Sequence, residues 1–144
     1  MSNQNESLYK LKGKDYKKAG SVLAKAFEND PVWRYVLSDC SLKQRQSLFE
    51  IPIRYGMKYG KVYAPSKELE GVAFWVPGYR AVMTNSRVIR SGAIFSAFKL
   101  GSTAVKKMDM LSQFDIDKKE NMSGRQYIYL FVIGVSPELQ GQGF

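Results

Sequence analysis

Residues Tyr127 to Val135 read Tyr-Ile-Tyr-Leu-Phe-Val-Ile-Gly-Val, a run that is apolar on both of its alternating sides. Tyr129, Phe131, Ile133 and Val135 fall on one side, with Ile128, Leu130 and Val132 on the other. A strand apolar on both sides predicts a central place in a sheet with helices over each face. Gly71 to Val76 has the same character, with Gly71, Ala73 and Trp75 opposed by Val72, Phe74 and Val76. Two such strands confine the chain to the α/β class. After Val135 the chain turns through Ser136-Pro137-Glu138-Leu139 and reaches Gln140-Gly141-Gln142-Gly143-Phe144. A buried strand that feeds a tight Gly-rich loop brings several backbone N–H groups close together, an arrangement that suits a phosphate.

The remaining pattern supplies helices and further strands. Leu8 to Lys12 alternates as a first strand. Asp15 stands where it can cap a helix whose apolar stripe is Ala19, Val22, Leu23, Ala26 and Phe27. Asp30-Pro31 places an N-cap before a proline at the first helical position, opening a short helix that ends near Ser38. Ser41-Leu42-Lys43-Gln44 is a capping box for a third helix, which Pro52 is expected to kink or split. Lys61 to Ala64 and Leu69 to Val76 follow as strands, joined by a hairpin loop at Pro65 to Glu68. Between Tyr79 and Met122 two helical stripes appear: Val88, Ile89, Phe95 and Phe98, then Ala104, Val105, Met108 and Leu111 after a break at Gly101-Ser102. Their apolar residues are expected to pack against the sheet. The expected order is β-α-α-α-β-β-α-α-β and then the glycine loop. That is one mixed α/β domain over residues 1–144, largely antiparallel at its start, with a frayed polar segment at Met1 to Ser7.

Composition removes whole classes of chemistry. The chain has no His and a single Cys, Cys40. That excludes Ser-His-Asp and Cys-His nucleophilic machinery, a zinc cluster and a disulfide within the chain. Proton transfer falls to carboxylates, Tyr, Lys or water, and no metal is expected. The net charge of +9 is spread along the chain, with basic doublets only at Lys17-Lys18, Lys106-Lys107 and Lys118-Lys119. Such scatter suits a solvated surface, so no nucleic-acid partner is expected. The basic residues and apolar residues between Arg87 and Lys107 could rest on a membrane, but their expected packing on the sheet argues for no membrane partner. With no signal-peptide pattern and no membrane-length apolar run, the expected location is cytoplasmic. A Walker phosphate loop is excluded because no Gly-Lys-Ser or Gly-Lys-Thr occurs. A dinucleotide fingerprint would follow its strand directly, whereas a turn intervenes here.

The strand, the Ser136–Leu139 turn and the loop together resemble the cofactor-binding motif of the GNAT N-acetyltransferase superfamily: Gln or Arg, two residues, Gly, one residue, then Gly or Ala. Gln140, Gly143 and Phe144 fill the first, fourth and fifth places, and the sixth falls beyond Phe144. The upstream element order is similar to that family's N-terminal arm, and Ala26-Phe27-Glu28-Asn29-Asp30-Pro31 resembles the first-helix exit of many bacterial members. Residues 80–122 exceed the minimal fold and are read as a helical insertion.

The resemblance implies a GNAT-like acyl-CoA N-acyltransferase fold, incomplete here because its C-terminal arm follows the motif. It implies acetyl-CoA as co-substrate. The acetyl group would pass to a primary amine of a small molecule or protein, by direct attack in a ternary complex. The pyrophosphate would meet the amides of Gln140, Gly141, Gln142, Gly143 and Phe144. The pantetheine arm would lie along Ile133, Gly134 and Val135, with Gly134 hosting the strand distortion that family members use. A backbone N–H between Phe131 and Ile133 would polarise the thioester carbonyl. Asp30, Trp33 and Trp75 are the acceptor-site candidates, beside plainer roles for Asp30 as a cap and the two Trp as core. Glu68 and Glu70 stand as candidate bases or as solvated hairpin carboxylates, and no catalytic residue is assigned. The competing expectation is a non-catalytic interaction module, a homodimer for example, that pairs through the exposed edge of strand 127–135.

Overall fold

A computed structural model describes residues 7–109 and 112–143. Expectations placed on Met1 to Glu6, Leu111 and Phe144 lie outside the described residues. The elements run β1 (Tyr9–Lys10), α1 (Asp15–Ala26), α2 (Pro31–Val36), α3 (Leu42–Tyr59), β2 (Lys61–Ala64), β3 (Gly71–Pro77), α4 (Asn85–Arg90), α5 (Ala93–Ala97), α6 (Ser102–Met108), α7 (Ser112–Met122) and β4 (Ile128–Val135). The chain is a mixed α/β protein whose four strands form one antiparallel sheet in the order β1-β2-β3-β4. Among the described residues no helix is long and apolar enough to cross a membrane.

Local chemistry explains most boundaries. Ser41 accepts from the Gln44 N–H at 3.2 Å while the Gln44 side chain accepts from the Ser41 N–H at 2.9 Å, so the capping box forms. Asp15 is not the cap of α1 but its first residue. Its carboxylate reaches back to accept from the Lys12 N–H at 2.8 Å and the Tyr9 hydroxyl at 2.7 Å, tying β1 to α1. Those two donors, the Lys12 N–H first, hold the Asp15 carboxyl below the usual carboxylate range. Pro52 neither splits nor ends α3, which continues to Tyr59. A proline deletes one helical N–H, but Leu48, Phe49, Ile51, Ile53 and Tyr55 are buried on both sides of it, and that burial outweighs one lost bond.

Among the described residues the region after Tyr79 holds four α-helices instead of two. Gly92, with φ +75°, separates α4 from α5. Gly101 precedes α6 in extended backbone.

Both helices that pack on the sheet lie on the same face. The missing side chain of Gly56 lets α3 settle against the Phe74 ring and Val62. The missing side chain of Gly134 does the same for α1, where an added Cβ would sit 2.9 Å from Leu23 Cδ2. Register places Val62, Phe74, Val72 and Gly134 on this covered face. Leu23, Phe49, Ile53, Tyr55, Val62, Phe74 and Val76 fill the core beneath it.

The expectation of helices over both faces is overturned. The opposite face carries Tyr63, Trp75, Leu130 and Ile133, and its β4 side chains are exposed. Nor is β4 central; it is the edge of the sheet, and Ile128 is 75% exposed. The insertion does not close this face. Helices α4 and α5 pack on α3, and Lys107 of α6 donates to the Tyr35 carbonyl, Ser38 Oγ and Asp39 Oδ2 at the end of α2.

Two outcomes follow from these contacts. Gly56→Ala pushes a methyl into the Phe74 ring and lowers stability by about 1–3 kcal/mol in urea denaturation. The Asp15 carboxyl has its acidity strengthened on folding, so its charge stabilises above its unfolded pKa and that share is lost as pH falls through the folded value. Asp15→Asn therefore costs up to about 1 kcal/mol at neutral pH, reduced by solvent screening. The gap between variant and wild type closes in urea melts run well below the carboxylate range.

Candidate functional site

The outer edge of β4 and the loop beyond it are built by one irregularity and one alternation. Phe74 faces Val132 but Trp75 faces Leu130, so β4 advances two residues while β3 advances one. Phe131 is the extra residue of a β-bulge and has no partner on β3. Its ring stacks on Phe74 with centroids 4.9 Å apart and meets Tyr129 edge-on at 5.7 Å. Lys118 of α7 lies over the Tyr129 ring at 4.4 Å. The irregularity against β3 thus sits at Phe131, and Gly134 stays in regular register opposite Val72. The bulge also changes the faces read from strict alternation. Tyr129, Val132 and Gly134 share the covered face, while Ile128, Leu130 and Ile133 share the open one.

Beyond β4 the Ser136 N–H donates to the Glu70 carbonyl at 2.8 Å. Bonded and non-bonded pairs alternate in an antiparallel ladder, so Gly134 is bonded to Val72, and Ile133 and Val135 turn their N–H and C=O groups outward. Among the described residues no strand lies on that side. Gln140 braces the exit, its side-chain amide donating to the outward carbonyl of Val135 at 3.1 Å. Gln142 donates likewise to the Glu138 carbonyl at 3.1 Å across the 3-10 turn Pro137–Leu139. Gly141 and Gly143 take φ of +80° and +85°, left-handed values that disfavour any side chain. Among the described residues no atom lies within 4 Å of where their Cβ would be, so backbone conformation and not crowding calls for glycine. Among the described residues the Gly141 and Gly143 amides donate to no backbone carbonyl. The Gln140 and Gln142 amides donate to Pro137 O at 3.4 Å and Leu139 O at 3.3 Å, both long.

On the α1 side of β4 lies a cleft of about 420 Å³ between the end of α1, α2 and the start of α3. Phe27 and Trp33 wall it, their rings 6.3 Å apart and Trp33 also packed on Phe49 at 5.0 Å. Glu28 and Asn29 line its polar side with Arg34 and Arg45, the last anchored by donation to the Cys40 carbonyl at 3.3 Å. Phe27 joins this cleft to the strand, its ring edge 3.4 Å from where a Gly134 Cβ would stand.

The predicted acceptor residues are not brought together. Trp33 lines the cleft. Asp30 caps α2, its Oδ1 accepting from the Val32 and Trp33 N–H groups at 2.9 and 3.2 Å. Trp75 lies on the opposite, open face of the sheet, beside Tyr63 at 5.6 Å. Glu68 is exposed and pairs with Lys18 at 3.6 Å. Glu70 accepts from the Ser66 hydroxyl at 2.7 Å, while its second carboxylate oxygen is buried without a partner among the described residues. Its own nearby backbone N–H, then the Ser66 hydroxyl, hold its carboxyl below the usual range against some desolvation, which suits a hairpin anchor better than a base. Tyr79 is exposed under the Arg80 guanidinium. Among the described residues no three His, Cys, Asp or Glu side chains converge as a metal site. Neither a scan of protein-family models nor a search of curated proteins finds a match to this chain.

The sequence reading missed Arg34 and Arg45 as cleft residues. Arg45 joins Phe27 only through the packing of α3 on α1, for which no local pattern exists. Glu28 and Asn29 lie within Ala26–Pro31 but carry no sequence signal of their own.

The role of Asp30 is separable by two substitutions. Asp30→Ala loses the cap and about 1 kcal/mol of stability in urea denaturation, whereas Asp30→Asn stays within a few tenths of wild type because Asn caps equally well.

Proposed function

We propose that this chain is a GNAT-like N-acetyltransferase domain that takes acetyl groups from acetyl-CoA to a primary amine. One observation carries the proposal: the outward N–H and C=O groups of Ile133 and Val135 on a bulged edge strand that leads, through the Ser136–Leu139 turn, to the Gly141 and Gly143 amides, which donate to no backbone carbonyl among the described residues. Such an edge accepts an amide-rich arm as an added strand. The Gly141 and Gly143 N–H groups, held in left-handed backbone, fit the pyrophosphate. Bound acetyl-CoA supplies an activated thioester acyl group. The backbone around the Phe131 bulge, lacking a partner on β3, offers an N–H to the thioester carbonyl as negative charge grows there.

The acceptor enters by the cleft that shares Phe27 with the strand. Glu28, the cleft's carboxylate, draws the ammonium toward it, and Trp33 walls the apolar part. The amine loses a proton to a carboxylate or water, its nitrogen bonds to the acyl carbon, and the C–S bond breaks to release CoA thiolate, which takes up a proton. A closed site needs a second wall beside β4, which the described residues do not contain.

A second reading has its own support. Ile128, Leu130 and Ile133 are exposed apolar residues on the open face, beside an unpaired edge. They suit a non-catalytic module that pairs strand to strand with another copy.

Isothermal titration of acetyl-CoA into the chain, with its oligomeric state measured in the same buffer, tests both. Saturable binding that falls roughly tenfold or more in Gly141→Val and Gly143→Val, where a β-branched residue resists positive φ, is the expected result. Binding unchanged by both substitutions, or none in a folded chain, overturns the cofactor assignment. A dimer that dissociates on Ile133→Lys supports the strand-pairing alternative.

A further inference from the structure

From Gly71 to Met108 the sequence contains no Asp or Glu and six basic residues: Arg80, Arg87, Arg90, Lys99, Lys106 and Lys107. The apolar residues of this segment were expected against the sheet, and the structure turns several of them outward. Helix α5 is fixed by Ala93 and Ser96, both buried, the Ser96 hydroxyl donating to Glu50 Oε2 at 2.8 Å. Arg54 clasps the Gly92 carbonyl just before it. With Ala93 and Ser96 inward, Phe95, Phe98 and Lys99 share the outward side of the same helical turn. Phe95 is 66% exposed and Phe98 77%. Ile89 and Arg90 are exposed at the end of α4, which packs beside α5.

We propose that the α4–α5 surface docks on an anionic lipid bilayer, inserting Phe95, Phe98 and Ile89 among the acyl chains' outer ends while Arg90 and Lys99 meet lipid phosphates. The charge of the segment and the state of its cations select this partner. Arg87 is spent on the Tyr79 and Val82 carbonyls and Lys107 on Asp39. Arg90 and Lys99 form no ion pair among the described residues. Two free cations beside three apolar tips fit shallow insertion into a negatively charged interface. A polyanion such as a nucleic-acid duplex calls for more unengaged cations along a track. Because no described helix is long and apolar enough to span, the chain would lie on the bilayer. The surface belongs to α4 and α5, apart from β4 and the cleft, so it does not rest on the acetyltransferase assignment.

Co-sedimentation of the full chain with vesicles of phosphatidylcholine, with and without phosphatidylserine, tests the proposal. Binding should be tighter on the anionic vesicles by roughly tenfold or more and weaken with salt. Phe95→Ser with Phe98→Ser should abolish it, and Arg90→Glu with Lys99→Glu should remove the preference for phosphatidylserine. Both pairs are exposed, and unchanged far-ultraviolet circular dichroism confirms the fold is kept. Failure to bind anionic vesicles overturns the proposal, as does binding that neither double variant alters. So does loss of duplex-DNA binding or of self-association in the Phe variant while vesicle binding is unchanged.

Discussion

The seating of α3 on the sheet is the contact on which the rest of the structure depends. Gly56 brings the helix backbone down onto Phe74 and Val62, paired buried residues of β3 and β2. Helix α3 also packs on both α1 and α5. It carries Tyr55, whose buried hydroxyl donates to the Arg80 carbonyl at 2.7 Å and so fixes the chain as it leaves β3. It also carries Glu50, which receives the Ser96 hydroxyl and orients α5. Cleft, strand edge and basic surface are therefore all referred to one helix, and Pro52 in its middle is tolerated because packing holds it.

Local signals in the sequence were sufficient wherever one residue type meets a local backbone need. Asp30-Pro31, the Ser41–Gln44 box and the order of strands around the hairpin all appear as read. The misreadings share a cause, which is that apolar content does not say what an apolar side chain faces. Leu130 and Ile133 are as apolar as Val72 and Phe74, yet only the latter pair lies under helices. The same holds for Phe95 and Phe98, which face outward because small Ala93 and Ser96 are the residues that fit against α3.

The candidate site was legible in part for the same reason. Gly141 and Gly143 take the left-handed backbone that suits glycine in a tight loop, a local property, whereas the outward turn of the Ile133 and Val135 amides depends on the register that the Phe131 bulge sets. Trp33 and Trp75 could not be separated from sequence, since the face each occupies depends on helix docking in one case and on strand register in the other. Gln140 and Gln142 turned out to brace the turn with their own side-chain amides, a contact set by the geometry of the 3-10 turn between them and the strand.

The bulge at Phe131 gives β4 a counting rule. Upstream of it Tyr129 faces the helices, and downstream Val132 and Gly134 do, a parity that one extra residue creates. Were Phe131 instead paired with Phe74, strict alternation would return and every later residue of β4 would slip by one partner and change face. Gly134 would leave the one place where α1 tolerates no side chain, and the outward amides of Ile133 and Val135 would turn in toward β3. The side chains of β4 can therefore vary far more freely than its register on β3.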